Sequence, residues 1–269
     1  TEKQILDYVQ KQPCTINDIA MLLGRNWRTA NSYVERAAQE TGLIAIKVFR
    51  KGSRGALKIV YWSALDSQTG SAHQKALLKR IVAGRTKEDF SAFDIYQFVS
   101  EDKREARVKE EEEQASPSSL LEKAGEQFLS FSGNLSWIDL YPDTWQQLED
   151  MAKRHVSIKV LTRIDLTSKE KTEKLLAINE RVGWDAVAVR HAEHPLRAMI
   201  IDDRLASIKE VLSPNLSQYK ELKKKLFIFY RIRDEDWVRW LQQVFWNIWE
   251  HSVDAETRLK ALATIHVKK

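Results

Sequence analysis

Apolar residues recur at helical spacing in three short runs at the start of the chain. Ile5, Leu6 and Val9 mark the inward face of a first helix, which Pro13 and Cys14 interrupt. Thr15 stands three residues before Asp18, the spacing of a capping box with the shorter acid. Ile16, Ile19, Ala20, Leu22 and Leu23 then give a second helix its core face before Gly24 ends it. Asn26 is placed to cap a third helix running to about Thr41, with Ala30, Val34 and Ala37 inward and Trp27, Arg28, Asn31, Ser32 and Arg36 outward. The period then changes. Leu43 to Phe49 and Leu57 to Trp62 are β-branched and aromatic runs joined by the basic tip Arg50-Lys51-Gly52-Ser53-Arg54-Gly55. Three helices followed by a hairpin is the order of a winged helix-turn-helix.

Ser63 to Ser71 reads as a polar connector. Lys75 to Val82 is predicted helical, with Ala76, Leu77, Leu78, Ile81 and Val82 as candidates for burial, and Phe90, Phe93, Ile95, Phe98 and Val99 follow. Residues 101–114 are almost entirely charged and read as a solvated helix or mobile linker, ended by Ser116-Pro117. From Ser118 the pattern alternates. Helices are predicted over Leu120–Phe128, Trp145–Lys153 and Ser168–Val182. Strands are predicted over Leu129–Ile138, Val156–Leu161, Ala186–Val189, Arg197–Ile201, Ala206–Ile208 and Phe227–Tyr230. Asp234 starts a long closing helix in which Trp237, Trp240, Leu241, Val244, Phe245, Ile248 and Trp249 share one face, expected to be part core and part interface. Strands alternating with helices point to a layered α/β sheet. The expected organisation is a winged helix-turn-helix domain over 1–66, a helical connector and charged linker over 67–117, and an α/β domain over 118–269.

Charge sharpens the reading of the first domain. The net charge of +5 is modest, but between Gly24 and Tyr61 eight Lys and Arg face only Glu35 and Glu40. Such a local excess is an electrostatic footprint for phosphate. The candidate DNA contacts are Trp27, Arg28, Asn31, Ser32 and Arg36 on the third helix, where Arg suits guanine and Asn adenine. Lys47, Arg50, Lys51, Arg54 and Lys58 on the hairpin are placed for the backbone or minor groove. The competing readings are a solvated helix face and a winged helix used for protein contacts. Cys14 is the single cysteine, so an intrachain disulfide is excluded. No run approaches the roughly 18–20 apolar residues of a membrane span. The expectation is a cytoplasmic, nucleoid-associated protein without membrane contact, cofactor or metal; the six histidines are scattered, and His191-x-x-His194 is too slight for zinc.

Three stretches of the second half carry a resemblance: Ser132-Gly133-Asn134-Leu135-Ser136-Trp137, the strand Ile158 to Asp165, and Pro195-Leu196-Arg197-Ala198-Met199-Ile200-Ile201-Asp202. They resemble the phospholipase-D-like domain fused to winged helices in archaeal TrmB-type transcriptional regulators, over roughly 118–249. The resemblance implies an α+β winged helix-turn-helix followed by an α/β phospholipase-D-like domain with a long C-terminal helix. It also implies a homodimer paired about a two-fold axis, bound to double-stranded DNA.

The phospholipase D superfamily works through H-x-K-x4-D, with His as nucleophile, Lys on the phosphate and Asp holding the geometry. In that register Arg197 takes the Lys position, Asp202 the Asp position and Pro195 the His position. Proline has no ring nitrogen to attack phosphorus, so this route of nucleophilic catalysis is excluded. His194 is one residue off, which on a strand points it to the other face. Lys209-Glu210 replaces the usual Gly-Ser or Gly-Thr. The expectation is a catalytically dead domain for dimerisation or ligand sensing. Arg197 and Asp202 are the candidate ligand residues; the bland alternative pairs Arg197 with Asp202, Asp203 or Glu210. The leading function is a DNA-binding regulator with a small-molecule effector left open. The alternatives are an architectural DNA protein and, third, a DNA phosphodiesterase.

Overall fold

The computed structural model describes residues 1–10, 12–41, 44–50, 56–62, 70–110, 118–214, 222 and 224–264. The chain opens with α1 (Glu2–Val9), β1 (Cys14–Thr15), α2 (Ile16–Leu23), α3 (Trp27–Thr41), β2 (Ile44–Arg50) and β3 (Ala56–Trp62). The local signals at the helix ends are realised. The Thr15 hydroxyl accepts from the Asp18 N–H at 3.1 Å while the Asp18 carboxylate accepts from the Thr15 N–H at 2.8 Å. Gly24 closes α2 at φ 59°, a left-handed position that favours glycine. Asn26 Oδ1 accepts from the Thr29 N–H at 2.9 Å and starts α3. β2 and β3 form an antiparallel hairpin and β1 joins β3, giving the order β1-β3-β2.

The hairpin is apolar on both faces. Ile44, Ile46, Val60 and Trp62 pack on the helices around Ile5, Ile19 and Val34. Phe49, Leu57, Ile59 and Tyr61 belong to a different core, shared with α4 (Gly70–Ala83), α5 (Phe93–Tyr96), α10 (Glu235–Glu250) and the large sheet. The contact is aromatic: Tyr61 meets Phe93 at 5.1 Å and Phe49 meets Tyr230 at 6.4 Å between ring centres. Burying each of these apolar side chains contributes about 1.5–3 kcal/mol, so the hairpin is held as firmly to the second half as to its own helices.

The large sheet has the order β11-β7-β6-β5-β8-β9-β10-β4. Its strands are β4 (Arg104–Glu110), β5 (Gln127–Phe131), β6 (Ser157–Thr162), β7 (Val187–His191), β8 (Ala198–Ile201), β9 (Leu205–Leu212), β10 (Leu226–Ile232) and β11 (Val253–Asp254). β5, β6 and β7 run parallel and the other pairs are antiparallel. One face packs on α10. Over β5, β6 and β7 the opposite face is covered by α6 (Ser118–Leu121), α7 (Ser136–Asp139), α8 (Thr144–Lys153), α9 (Lys169–Val182) and α11 (Ala255–Ala263).

Several predicted elements are corrected. The charged stretch is neither helix nor linker over 104–110: it is edge strand β4, paired to β10 from Arg104↔Ile232 to Glu110↔Leu226. Ala106 and Val108 supply the alternation that the surrounding charges obscure, and an edge strand tolerates charge because one long side is unpaired. Residues 70–110 therefore pack into the core of the sheet and hairpin instead of spacing two domains; Glu101–Lys103 form a short 3-10 turn before β4, and residues 111–114 of the charged run and the connector at 63–69 lie outside the described residues. The helix over Leu120–Phe128 stops at Leu121, and Gln127 and Phe128 open β5. The strand over Leu129–Ile138 stops at Phe131, and Leu135 turns at φ 60° into α7. β9 extends to Leu212, and Val82 and Ala76 are exposed where burial was expected. In α10, capped by Asp234, Trp237 and Trp240 are buried and Trp246, Ile248 and Trp249 pack against the same core, so none of its large apolar side chains is among the exposed ones.

Candidate nucleic-acid interface and cationic cleft

α3 presents two different surfaces. Ala30, Val34 and Ala37 are sealed in the core, whereas Trp27 is 38% exposed and Arg28, Ser32 and Arg36 are exposed along the outward side. Arg25, in the turn before the helix, is exposed as well. The Arg36 guanidinium lies 5.6 Å from the Tyr33 ring centre. Asn31 and Lys58, predicted as separate DNA contacts, meet each other: Lys58 Nζ donates to Asn31 Oδ1 at 2.7 Å and pairs with Glu35 at 3.0 Å. Those bonds from Lys58 and Asn31 hold the Glu35 carboxyl below its ordinary value. Lys58 also lies 5.6 Å from the Trp27 ring centre. Its charge thus fastens the hairpin to α3.

Lys47 is removed from the predicted DNA face. Strand alternation puts it opposite Ile59, on the side turned to the second half, 6.0 Å from the Tyr96 ring centre. Arg50 ends β2, and its side chain lies outside the described residues, as do Lys51 and Arg54 at the tip.

The predicted pairing of Arg197 with Asp202 as one ligand site does not form. The two residues flank β8 at opposite ends, and an extended strand rises about 3.3 Å per residue. Asp202 is 7% exposed and turns at φ 49°. Its carboxylate accepts from the N–H groups of Gly125 at 3.2 Å, Glu126 at 2.9 Å and Gln127 at 2.9 Å, and it pairs with Arg204. It anchors the start of β5. Arg197 donates instead to the carbonyls of His194 at 3.2 Å and Leu196 at 2.7 Å, with no carboxylate partner among the described residues. Gly133 lies under its guanidinium; a Cβ there would stand 2.5 Å from Nη2.

Neither nearby histidine faces this arginine's cleft. His194 is 3% exposed, its Nε2 lies 3.3 Å from the Leu161 carbonyl oxygen, and its ring stands edge-on to Phe131. Burial, and then the Arg197 charge, push its pKa down to about 4. His191 Nδ1 accepts from the Ile164 N–H at 2.8 Å. Pro195 packs its ring where Gly84 leaves room.

Arg197 opens onto a cleft of about 610 Å³ floored by the part of the sheet that the helices around α8 and α9 leave uncovered. Among the described residues seven cations and no acid line it. Arg107, Arg163 and Lys87 have Glu105, Asp165 and Glu88 beside them. Lys109, Arg197, Lys209 and Arg231 make no salt bridge among the described residues, although Glu105 stands opposite Arg231 across β4 and β10 and Glu88 acts on Arg197 from farther off. Sequence reasoning found only Arg197. Arg107 and Lys109 alternate along β4, Lys209 lies on β9 and Arg231 on β10, while Lys87 precedes α5 and Arg163 follows β6; nothing in the sequence says that these parts are neighbours.

No protein-family profile matches the sequence, and no curated protein is significantly similar. Solved structures overlap with it in part. The chain is similar to NucT from Helicobacter pylori at 13% identity, over 56% of this chain and 98% of that one, with a TM-score of 0.40. It is similar to Nuc from Salmonella typhimurium, a phospholipase D family member, at 14% identity over 56% and 97%, TM-score 0.38. The archaeal chromatin protein TrmBL2, described as showing a novel mode of DNA binding, overlaps at 14% identity over 94% and 93%, TM-score 0.41. Scores of this size mark a partial overlap of chain path and carry no chemistry over to this chain.

Proposed function

We propose that this chain is a DNA-binding regulator. Residues 1–62 act as a winged helix-turn-helix on duplex DNA, and the α/β half is a non-catalytic body for pairing and ligand sensing. The observation that carries the reading is the two-sidedness of α3. Its inner face is sealed while Arg25, Arg28 and Ser32 stand exposed around its start, the end that enters a major groove in this class of module. Catalysis is set aside because Pro195 occupies the nucleophile position and both nearby histidines are engaged elsewhere. Pairing of two copies through the α/β half would place two such modules for a two-fold site. Strand β10 offers the route from ligand to DNA, since Arg231 and Phe229 line the cleft while Tyr230, between them, touches Phe49 of the hairpin.

A second reading, an architectural protein that coats DNA, draws on the Asn31–Lys58–Glu35 network. It ties down the amide best suited to read adenine and leaves arginines that suit phosphate equally well. The test is fluorescence anisotropy with random-sequence and promoter-derived duplexes at two salt concentrations, followed by a denaturing gel. Salt-dependent binding with sequence preference and intact DNA supports the regulator, and equal affinity for all sequences supports the coat. Cleaved DNA, or no binding at low salt, defeats both.

A further inference from the structure

The cleft over β8, β9, β10 and β4 is built for more negative charge than one phosphate brings. Register fixes its floor. Lys209 on β9 lies directly opposite Phe229 on β10, and Ser207, two residues away, lies opposite Arg231. Lys109 on β4 lies opposite Phe227. Neighbouring strands are about 4.8 Å apart and same-face neighbours along a strand about 6.6 Å, so these cations spread over roughly 10 Å. That span matches a chain of phosphates.

Their charge is only partly offset among the described residues, by Glu105 opposite Arg231 and by Glu88 at a distance from Arg197. Burial, and then Lys87, pull the Lys209 ammonium below its ordinary pKa; burial and Arg107 do the same to Arg231, and burial and Arg163 to Arg197. Like charges crowded at a half-buried surface cost stability, and a protein keeps such an arrangement where a ligand relieves it.

Unpaired polar atoms point the same way. Among the described residues Ser130 Oγ, Trp137 Nε1 and Arg231 Nε are enclosed without a hydrogen-bond partner, and all three residues line this cleft. Ser130 is 1% exposed. Buried donors left unmade are expensive, so three converging on one cavity mark positions for acceptor atoms of a ligand. Phe229 in the floor and Trp137 and Tyr141 at the side add aromatic surface to the lining. A volume of about 610 Å³ lies in the range of small-molecule sites.

We infer that this cleft binds a small polyanion that joins several phosphate-type charges to an aromatic ring, the chemistry of a nucleotide. The inference rests on the ligand-sensing part of the function proposed above, and it is tested without DNA so that the two fail separately. Calorimetric titration of the full chain uses ATP in the presence of EDTA, inorganic tripolyphosphate, adenosine and a ten-residue oligothymidylate as probes. ATP should bind at one site per chain, tripolyphosphate about tenfold more weakly and adenosine not at all.

The double variant Lys209→Gln, Arg231→Gln should weaken ATP by at least about tenfold while melting no lower than the parent, because it removes charge that is only partly offset. Phe229→Leu should weaken ATP and leave tripolyphosphate unchanged. The proposal is overturned if ATP does not bind at millimolar concentration, or if the double variant binds it like the parent. Equal affinity for tripolyphosphate and ATP would reduce the site to a phosphate trap and overturn it too. Oligothymidylate bound more tightly than ATP and lost in the double variant would hand the cleft to single-stranded nucleic acid.

Discussion

Asp202 separates a ligand residue from a structural one. Three backbone N–H groups, those of Gly125, Glu126 and Gln127, end on its carboxylate, and the residue is almost fully enclosed. Asp202→Ala leaves all three without their acceptor. A buried donor left unmade costs about 1–3 kcal/mol, and partial access of water near Arg204 holds the total to about 3–5 kcal/mol. The backbone adds to this, because φ at Asp202 is 49°, a region that Asn tolerates and Ala does not. Asp202→Asn keeps a carbonyl oxygen for the 2.9 Å donors Glu126 and Gln127 but replaces the oxygen that accepts from Gly125 and Arg204 with an NH2 group, for about 1–3 kcal/mol. In a chain of this size 1 kcal/mol corresponds to roughly 2–4 °C, so the Ala variant should melt about 6–20 °C lower.

The pH dependence has a definite sign. Burial alone would raise the Asp202 carboxyl, but the three N–H donors and Arg204 outweigh it and hold it below the ordinary value of 3.8. A lowered folded pKa gives stability that is present above the unfolded value and is lost as pH falls through the folded one. Urea unfolding of the parent, Asn and Ala proteins between about pH 3 and pH 7 measures both effects, the differences closing only below about pH 4. An Ala variant within 1 kcal/mol of the parent at pH 7, or one that keeps its stability and loses polyanion binding, would refute this account of the residue.

Glu210 should behave in the opposite sense. Burial, with Asp94 adding to it, pushes its carboxyl up to about 7 against the hydrogen bond from Ser91, so the stability it contributes is present below its unfolded value and lost as pH rises through neutrality. Glu210→Gln should remove a decline on the order of 2–3 kcal/mol between pH 5 and pH 8; parallel stability curves for the two proteins would contradict it. At the proposed DNA face, Arg28→Ala should cost about 1–3 kcal/mol at a cognate site, whereas Lys47→Ala should bind like the parent because that side chain lies against Tyr96. Anisotropy measures both, and a loss on Lys47→Ala would put the hairpin's inner face at the DNA. Gly133→Ala should push the Arg197 guanidinium out of its seat, since the new Cβ would lie 2.5 Å from it. Polyanion binding should then drop several-fold with less than about 1 kcal/mol lost in stability, the displaced group being the end of a flexible side chain. Unchanged binding would remove Arg197 from the cleft's working residues.

Local structure in the first half was legible because it is written in local chemistry. The Thr15–Asp18 box, Gly24 and the Asn26 cap each act over four residues or fewer, and each appears where its spacing put it. His194 is turned from the cleft for a different reason than strand alternation: residues 192–197 lie before β8, and the ring is held by burial and the Leu161 carbonyl. The strand at 104–110 was hidden because its pairing partner, β10, begins at Leu226, and because only Ala106 and Val108 turn to the core from among its charges.

What the sequence determines by itself is therefore the order of helices and strands near its caps and turns, and the concentration of basic residues between Gly24 and Tyr61. What only the tertiary structure decided is which charges meet. It set Lys58 on Asn31 and Glu35, turned Lys47 inward, gave Asp202 to the backbone of β5, and gathered Lys109, Arg197, Lys209 and Arg231 from four parts of the chain around one cleft. Strand order and register are global choices, made by burying both faces of the hairpin and the α10 face of the sheet. The side chains on the face left over have no periodic signature of their own.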